Sequence, residues 1–207
     1  MIFRKAAKIF LPMVLCCAAA SANTIFNFDN DGLGTSTTFT DTVNGLSATF
    51  SSSADPGGFV VYPTMFETLT GNVLGDPGPA FQDNLDLNID FSQDVSAIEL
   101  DFATADFSTP SPFTLTAYQN SVLVGAATST GQFLPGFTFP EGEIAFDGVF
   151  DQVVLSSTSS DFAVDNIDVI PNVAITSTPE PGTLCLLGTG LILLGLPSVR
   201  RRKTARR

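Results

Sequence analysis

The chain has 207 residues, a net charge of −12, and neither histidine nor tryptophan. Its nine cationic residues all lie near the termini, at Arg4, Lys5, Lys8, Arg200, Arg201, Arg202, Lys203, Arg206 and Arg207. The body from Asn23 to Thr178 keeps every acid except Glu180 and has no Lys, Arg, His or Cys, which excludes nucleic acid as an electrostatic partner, disulfide staples, and catalysis by imidazole, thiolate or amine.

At the N-terminus, Arg4, Lys5 and Lys8 precede a mostly apolar stretch from Ile9 to Ala20, and Ala20-Ser21-Ala22 reads as a small-residue cleavage site. Residues 1–22 thus read as a signal peptide, handled by the Sec translocon and signal peptidase, with Asn23 as the mature N-terminus. Cys16 follows Val14-Leu15 and lacks the small preceding residue that lipidation requires.

The body is predicted to be all-β, one β-sandwich or jelly-roll-like domain over residues 23–170. Leu85-Asp86-Leu87-Asn88-Ile89-Asp90-Phe91 alternates apolar and polar residues, the pattern of a half-buried strand. Ile98 to Phe102 and Phe113 to Tyr118 repeat it. Further strands are expected at Thr24 to Asp29, Leu46 to Ser51, Phe59 to Tyr62, Val122 to Ala127, Gly136 to Phe139, Gln152 to Ser156 and Phe162 to Val169. Turns are expected at Asn30-Asp31-Gly32, Asp55 to Gly58, Gly75 to Pro79, Pro110 to Pro112 and Pro140-Glu141-Gly142. Nine to eleven short strands with such punctuation suit a sandwich, with the Phe residues filling its middle. With no cation to pair the acids, ionic strength or divalent cations are expected to relieve their repulsion.

Residues 171–178 read as a linker. Pro179-Glu180-Pro181 follows, then an uncharged apolar run over 182–199, then the basic cluster over 200–207. The run is about long enough to span a bilayer core as a helix, and the positive-inside rule keeps the cluster cytoplasmic. A short rigid motif, a membrane-length segment and a basic tail in this order resemble the PEP-CTERM sorting signal of Gram-negative bacteria. The resemblance implies processing by an exosortase near Pro179, Glu180 and Pro181. The protein would be anchored in the inner membrane first, then held in the envelope, at the surface or in the extracellular matrix. The strands around Ile25-Phe26-Asn27-Phe28-Asp29 and Phe162 to Val169 are similar to the two ends of exported domains in this family. Such domains resemble jelly-roll modules of carbohydrate-binding and lectin-like proteins.

Three chemistries then come into view. Asn27-Phe28-Asp29-Asn30-Asp31-Gly32 places oxygen ligands like the opening of a calcium loop, but the twelfth position is Thr38 where an EF-hand takes Glu. Jelly-roll modules commonly set first and last strands side by side, which would bring Asp29 or Asp31 near Asp165 or Asp168. Asp29, Asp31 and Asp165 are the candidate calcium ligands, with Asp165-Asn166 at a bulge. Carboxylate pairs such as Asp86 with Asp90, or Glu99 with Asp101, are the one standard route left to glycoside hydrolysis, though a solvated outer face explains them as well. Tyr62 and Tyr118 are the body's only tyrosines for a sugar platform, and Gly71 to Asn84 could form a binding loop. Glycosidases normally grip sugars with Trp and Arg, and the body has neither, so no enzyme is expected. The family's association with exopolysaccharide implies an adhesive or matrix role with extracellular polysaccharide as partner. The alternatives are a calcium-dependent carbohydrate-binding module and a carboxylate-based polysaccharide hydrolase.

Overall fold

The computed structural model describes residues 23–52, 57–76 and 85–172. The signal peptide, the sorting motif at Pro179, Glu180 and Pro181, and the apolar and basic tail lie outside the described residues.

Every element within them is a strand: β1 (Thr24–Phe26), β2 (Phe39–Val43), β3 (Leu46–Ser51), β4 (Val60–Pro63), β5 (Asn72–Gly75), β6 (Leu87–Thr104), β7 (Pro112–Gln119), β8 (Val122–Thr130), β9 (Gln132–Phe133), β10 (Pro140–Ser157) and β11 (Phe162–Pro171). Two layers share β6 and β10, whose 18 residues each run through both. In the first layer, the start of β6 pairs with β3 and with the end of β10, and the order is β2-β3-β6-β10-β7-β8. In the second, the end of β6 lies between β11 and the start of β10. There β1 and β5 share the far edge of β11, β4 borders β5, and β9 borders β10.

Switching layers without breaking a strand needs a bend. The register between β10 and β6 slips on both sides of Phe150. Asp147 to Phe150 runs opposite Ala97 to Val95, with the extra residue on β10, and Phe150 to Gln152 runs opposite Val95 to Asp90, with the extra residues on β6. In β6 the buried residues change phase, from Leu87, Ile89, Phe91 and Val95 to Ile98, Leu100 and Phe102. The two alternating runs expected as separate strands are therefore halves of one.

Phenylalanine fills the space between the layers. Phe102 of β6 stacks on Phe113 of β7 with centroids 4.3 Å apart, and Phe113 meets Phe162 of β11 edge-on at 5.2 Å. Phe28 and Phe50 make a second edge contact at 5.3 Å. These rings bury large areas without a polar atom to satisfy. A smaller buried cluster of Leu69, Val73, Ala103 and Ala163 lies apart from this core, with Tyr62 and Phe66 packed against it.

Three expectations are corrected. Gly136 to Phe139 is bend and turn, not strand. Pro140-Glu141-Gly142 opens β10 instead of turning, because Pro is tolerated as a first strand residue and Glu141 finds partners inside the fold. β1 stops at Phe26, since Phe28 takes a φ of 55° and the chain turns through Asp31, whose N–H donates to the Phe28 carbonyl at 3.0 Å.

Candidate functional site

The segment from Thr64 to Gly71, between β4 and β5, is held from three sides by carboxylates. Its neck closes on itself, as the Thr64 N–H donates to the Gly71 carbonyl at 2.8 Å. Inside, the Thr64 hydroxyl donates to the Leu69 carbonyl at 2.6 Å and accepts the Phe66 N–H at 3.1 Å. At the tip, the Glu141 carboxylate accepts the N–H of Glu67 at 2.9 Å, that of Thr68 at 2.6 Å and the Thr68 hydroxyl at 2.7 Å. At the neck, Asp165 Oδ2 accepts the Thr70 N–H at 3.0 Å and Asp29 Oδ1 accepts the Asn72 N–H at 2.9 Å. In a body without cations, backbone amides and neutral side-chain donors such as the Thr68 hydroxyl are what satisfy buried acids. Gly71 permits this closure: its φ is +70°, and a Cβ there would overlap Asp29 Oδ1.

The loop forms one wall of a cleft of about 180 Å³. Ala103 of β6 and Ala163 of β11 face each other in register among its lining residues. Gly75 sits opposite Ala163 on β5, and a Cβ on it would come within 2.8 Å of the Ala163 Cβ. Tyr62, Met65, Phe66 and Phe139 supply the walls. Phe139 meets Phe66 edge-on at 5.9 Å and Phe107 at 5.4 Å, the latter 68% exposed. Two acids, Asp76 and Asp161, interrupt this apolar lining.

Burial first, and then Asp76, push the Asp161 carboxyl up to about 7 against partial relief from the N–H groups of Phe162 and Asp76. Asp161 Oδ1 is buried with no hydrogen-bond partner. Burial, then Asp161 and Asp76, push the Tyr62 phenol well above its ordinary range, so it stays protonated and can donate. Asp165 is fully buried and also raised to about 7, by burial first and then by Asp29 and Asp101. Away from the cleft, Asp101 lies in register with both Glu143 and Asp165, and Glu99 with Asp168. Glu143 raises Glu99, while burial raises Asp101 against a 2.9 Å hydrogen bond from Asn166 Nδ2. Like charges so placed repel.

The structure sorts the sequence candidates. β1 does pair with β11, placing Ile25 opposite Asp168. Asp29 and Asp165 meet at the loop neck, whereas the Asp31 carboxyl is raised by burial first and then by Asp41. Among the described residues no group of three or more acids, His or Cys could hold a metal ion. Asn166 takes a φ of 50° at a register shift, which places the expected bulge, but Asp165 points inward and not to solvent. Asp90 accepts Gln152 Nε2 at 2.7 Å and borders a separate polar hollow with Asn120 and Asp151. Tyr62 lines the cleft, while Tyr118 sits half-buried in β7 opposite Gln152. Sequence reading missed Glu141, Asp161 and Phe139. The segment Gly71 to Asn84 contributes Asp76, and residues 77–84 lie outside the described ones.

Residues 177–203 match the family model of the PEP-CTERM protein-sorting motif. The motif marks an exported protein, membrane-anchored at its C-terminus and processed by an exosortase. No curated protein matches the chain. Among solved structures, the K2 cleaved adhesin domain of Lys-gingipain is similar at 12% identity, over 72% of this chain and 99% of that one, with a TM-score of 0.49. A family 35 carbohydrate-binding module from Clostridium thermocellum is similar at 14% identity, over 72% and 98%, with a TM-score of 0.36. The family 11 module of a cellulosomal cellulase from the same organism is similar at 13% identity, over 76% and 99%, with a TM-score of 0.35. At these values none bears on a residue of this chain.

Proposed function

For a chain that carries this sorting motif, we propose a non-enzymatic, glycan-binding role in the extracellular polysaccharide matrix, with exosortase delivering a β-sandwich whose aromatic cleft holds the sugar. One observation carries the reading: Tyr62, Phe66 and Phe139 wall a cleft that also presents Asp76 and Asp161. Apolar ring faces suit the C–H faces of sugars, while a few converging polar groups fix orientation. The test is binding of the full chain, in non-ionic detergent, to a panel of soluble polysaccharides by affinity electrophoresis. Retardation by at least one glycan is expected, with loss in Tyr62→Ala and Phe139→Ala. Absence of retardation throughout, or retardation unchanged in both variants, refutes the reading. Release of reducing ends from a bound glycan would move the assignment to a hydrolase.

A calcium-dependent module is the second reading, favoured by Asp165 Oδ1, which is buried without a hydrogen bond beside Asp29. A ligand bound only by the native state raises stability by mass action. Under this reading calcium raises the melting temperature over EDTA, and magnesium does not reproduce the shift. Equal shifts with both ions refute it.

A further inference from the structure

We propose that β8 pairs with β8 of a second copy of this chain, antiparallel about a two-fold axis, joining the first layers of the two copies into one sheet. This pairing does not depend on what the cleft binds. Charge picks out the surface. Residues 107–140 contain no charged side chain, whereas Asp and Glu are spread through the rest of the body with no Lys, Arg or His to offset them. Two such copies repel wherever their acids face each other, so the uncharged stretch is where they can touch. β8 is the outer strand of that stretch. Among the described residues it ladders with β7 alone, so the N–H and C=O groups of its other edge point away from the layer. An open edge of this kind is a template for a further strand.

Other edges are guarded. Residues 34–37 cover β4: the Gly34 N–H donates to the Val61 carbonyl at 2.9 Å, the Val61 N–H to the Thr35 carbonyl at 2.8 Å and the Thr37 N–H to the Phe59 carbonyl at 2.9 Å. β2 carries Asp41 at its centre, a charge that an approaching copy would have to face. On β8 there is neither charge nor proline. One register slip sets Val124 apart as a bulge and leaves residues 125–130 as a regular run. A two-fold axis at Thr128, which is exposed, places that threonine opposite its counterpart, a favourable cross-strand pair. The same axis sets the start of one β8 beside the end of the other. Val122 and Leu123 are 67% and 61% exposed at the start, and Phe133 is exposed just past the end, so each copy offers the apolar surface that the other end lacks a cover for. Val124 adds to the first cluster, with its Cγ1 3.6 Å from where a Cβ on Gly148 would stand, next to the exposed Val149. Because each copy uses its one β8, the contact closes as a dimer and does not propagate.

The experiment uses the full chain in non-ionic detergent, with Cys16, Cys17 and Cys185 replaced by Ser. Opposed residues of an antiparallel pair lie within the Cα separation that a disulfide bridges. Thr128→Cys is therefore expected to give a covalent dimer on oxidation with diamide, read on a non-reducing gel. Thr42→Cys, exposed on the guarded strand β2, should stay monomeric. Equal cross-linking of both variants would mean chance encounters in shared micelles, and no cross-linking of either would mean that the edge stays open; each overturns the proposal. Sedimentation equilibrium of the chain with Thr128 intact supplies a second readout. One strand edge and two small apolar clusters lie at the low end of specific interfaces, so a dimer is expected at roughly micromolar chain concentration. Raising the salt from about 0.05 to about 0.5 M should tighten it, because screening relieves the repulsion between the acidic bodies. Thr128→Asp, which sets two carboxylates face to face at the axis, should leave the monomer with an unchanged circular dichroism spectrum. A dimer that survives this variant, or one that weakens as salt rises, is held elsewhere and also overturns the proposal.

Discussion

Replacing Asp165 with Asn should flatten the fall of stability with rising pH. Asp165 is fully buried in β11, its Oδ2 accepts the Thr70 N–H, and its carboxyl is pushed from an ordinary 3.8 to about 7 by burial, with Asp29 and Asp101 adding to the effect. A carboxyl raised in the folded state holds its proton between these two values while the unfolded chain has released it. Its contribution to stability is therefore full below about pH 4, declines as pH rises towards 7, and is level above that. The rise corresponds to about 4 kcal/mol as an upper bound, at 1.36 kcal/mol for each factor of ten in the proton equilibrium. Asp161 acts with the same sign. The protein is thus expected to be more stable near pH 5 than near pH 8, unlike proteins whose acids are held ionised by cations. Asp165→Asn keeps an oxygen for the Thr70 N–H but cannot ionise. It should lie close to wild type below about pH 4 and exceed it increasingly as pH rises towards 8, by at most about 4 kcal/mol. Urea titrations of the full chain in non-ionic detergent with EDTA, followed by circular dichroism, measure both. Wild-type stability that climbs with pH, or an Asn variant that keeps the wild-type slope, refutes the account.

Glu141→Gln should cost about 2 kcal/mol and lower the melting temperature, because one amide oxygen replaces a carboxylate that accepts three donors from Glu67 and Thr68. The same variant should weaken glycan binding by freeing the wall that carries Phe66, which affinity electrophoresis reads directly. Gly71→Ala should lose about 1–3 kcal/mol in thermal or urea melts, since φ is +70° and the new Cβ displaces Asp29 from the Asn72 N–H. Replacing Pro179, Glu180 and Pro181 with Ala should leave unprocessed chain in the inner membrane, seen by fractionation and blotting; unchanged processing would show that the motif is not the determinant.

Alternation made the fold class legible, because one face of most strands is buried and the other is not. Leu46 to Ser51 and Phe113 to Tyr118 show it plainly. It failed where a strand crosses between layers. β6 changes phase near Val95 and reads as two strands, and the first half of β10 was read partly as a turn for want of clean alternation. The site was less legible for a different reason. Acids in sequence look like solvated surface, and only the fold shows which ones turn inward to meet backbone amides. Glu141 is 4% exposed although it follows a proline and precedes a glycine. Asp161 gains its place from the chain's entry into β11 beside Asp76, a proximity between segments far apart in sequence. Tyr62 and the pairing of β1 with β11 were within reach, since each rests on one residue or one strand.

The second layer also has a mechanical meaning. Asp161, Phe162 and Ala163 at the start of β11 border the cleft, and the chain leaves β11 at Pro171 towards its C-terminal anchor. A hold on the chain beyond Pro171 and a polymer held in the cleft would pull on opposite ends of one strand, along its axis. β11 spans about 33 Å and is hydrogen-bonded to β6 on one edge and to β1 and β5 on the other. Those bonds lie across the line of pull, so they are loaded together in shear and not peeled one at a time. Drag on a bound polymer would therefore meet its greatest resistance along the path from the cleft to the end of β11.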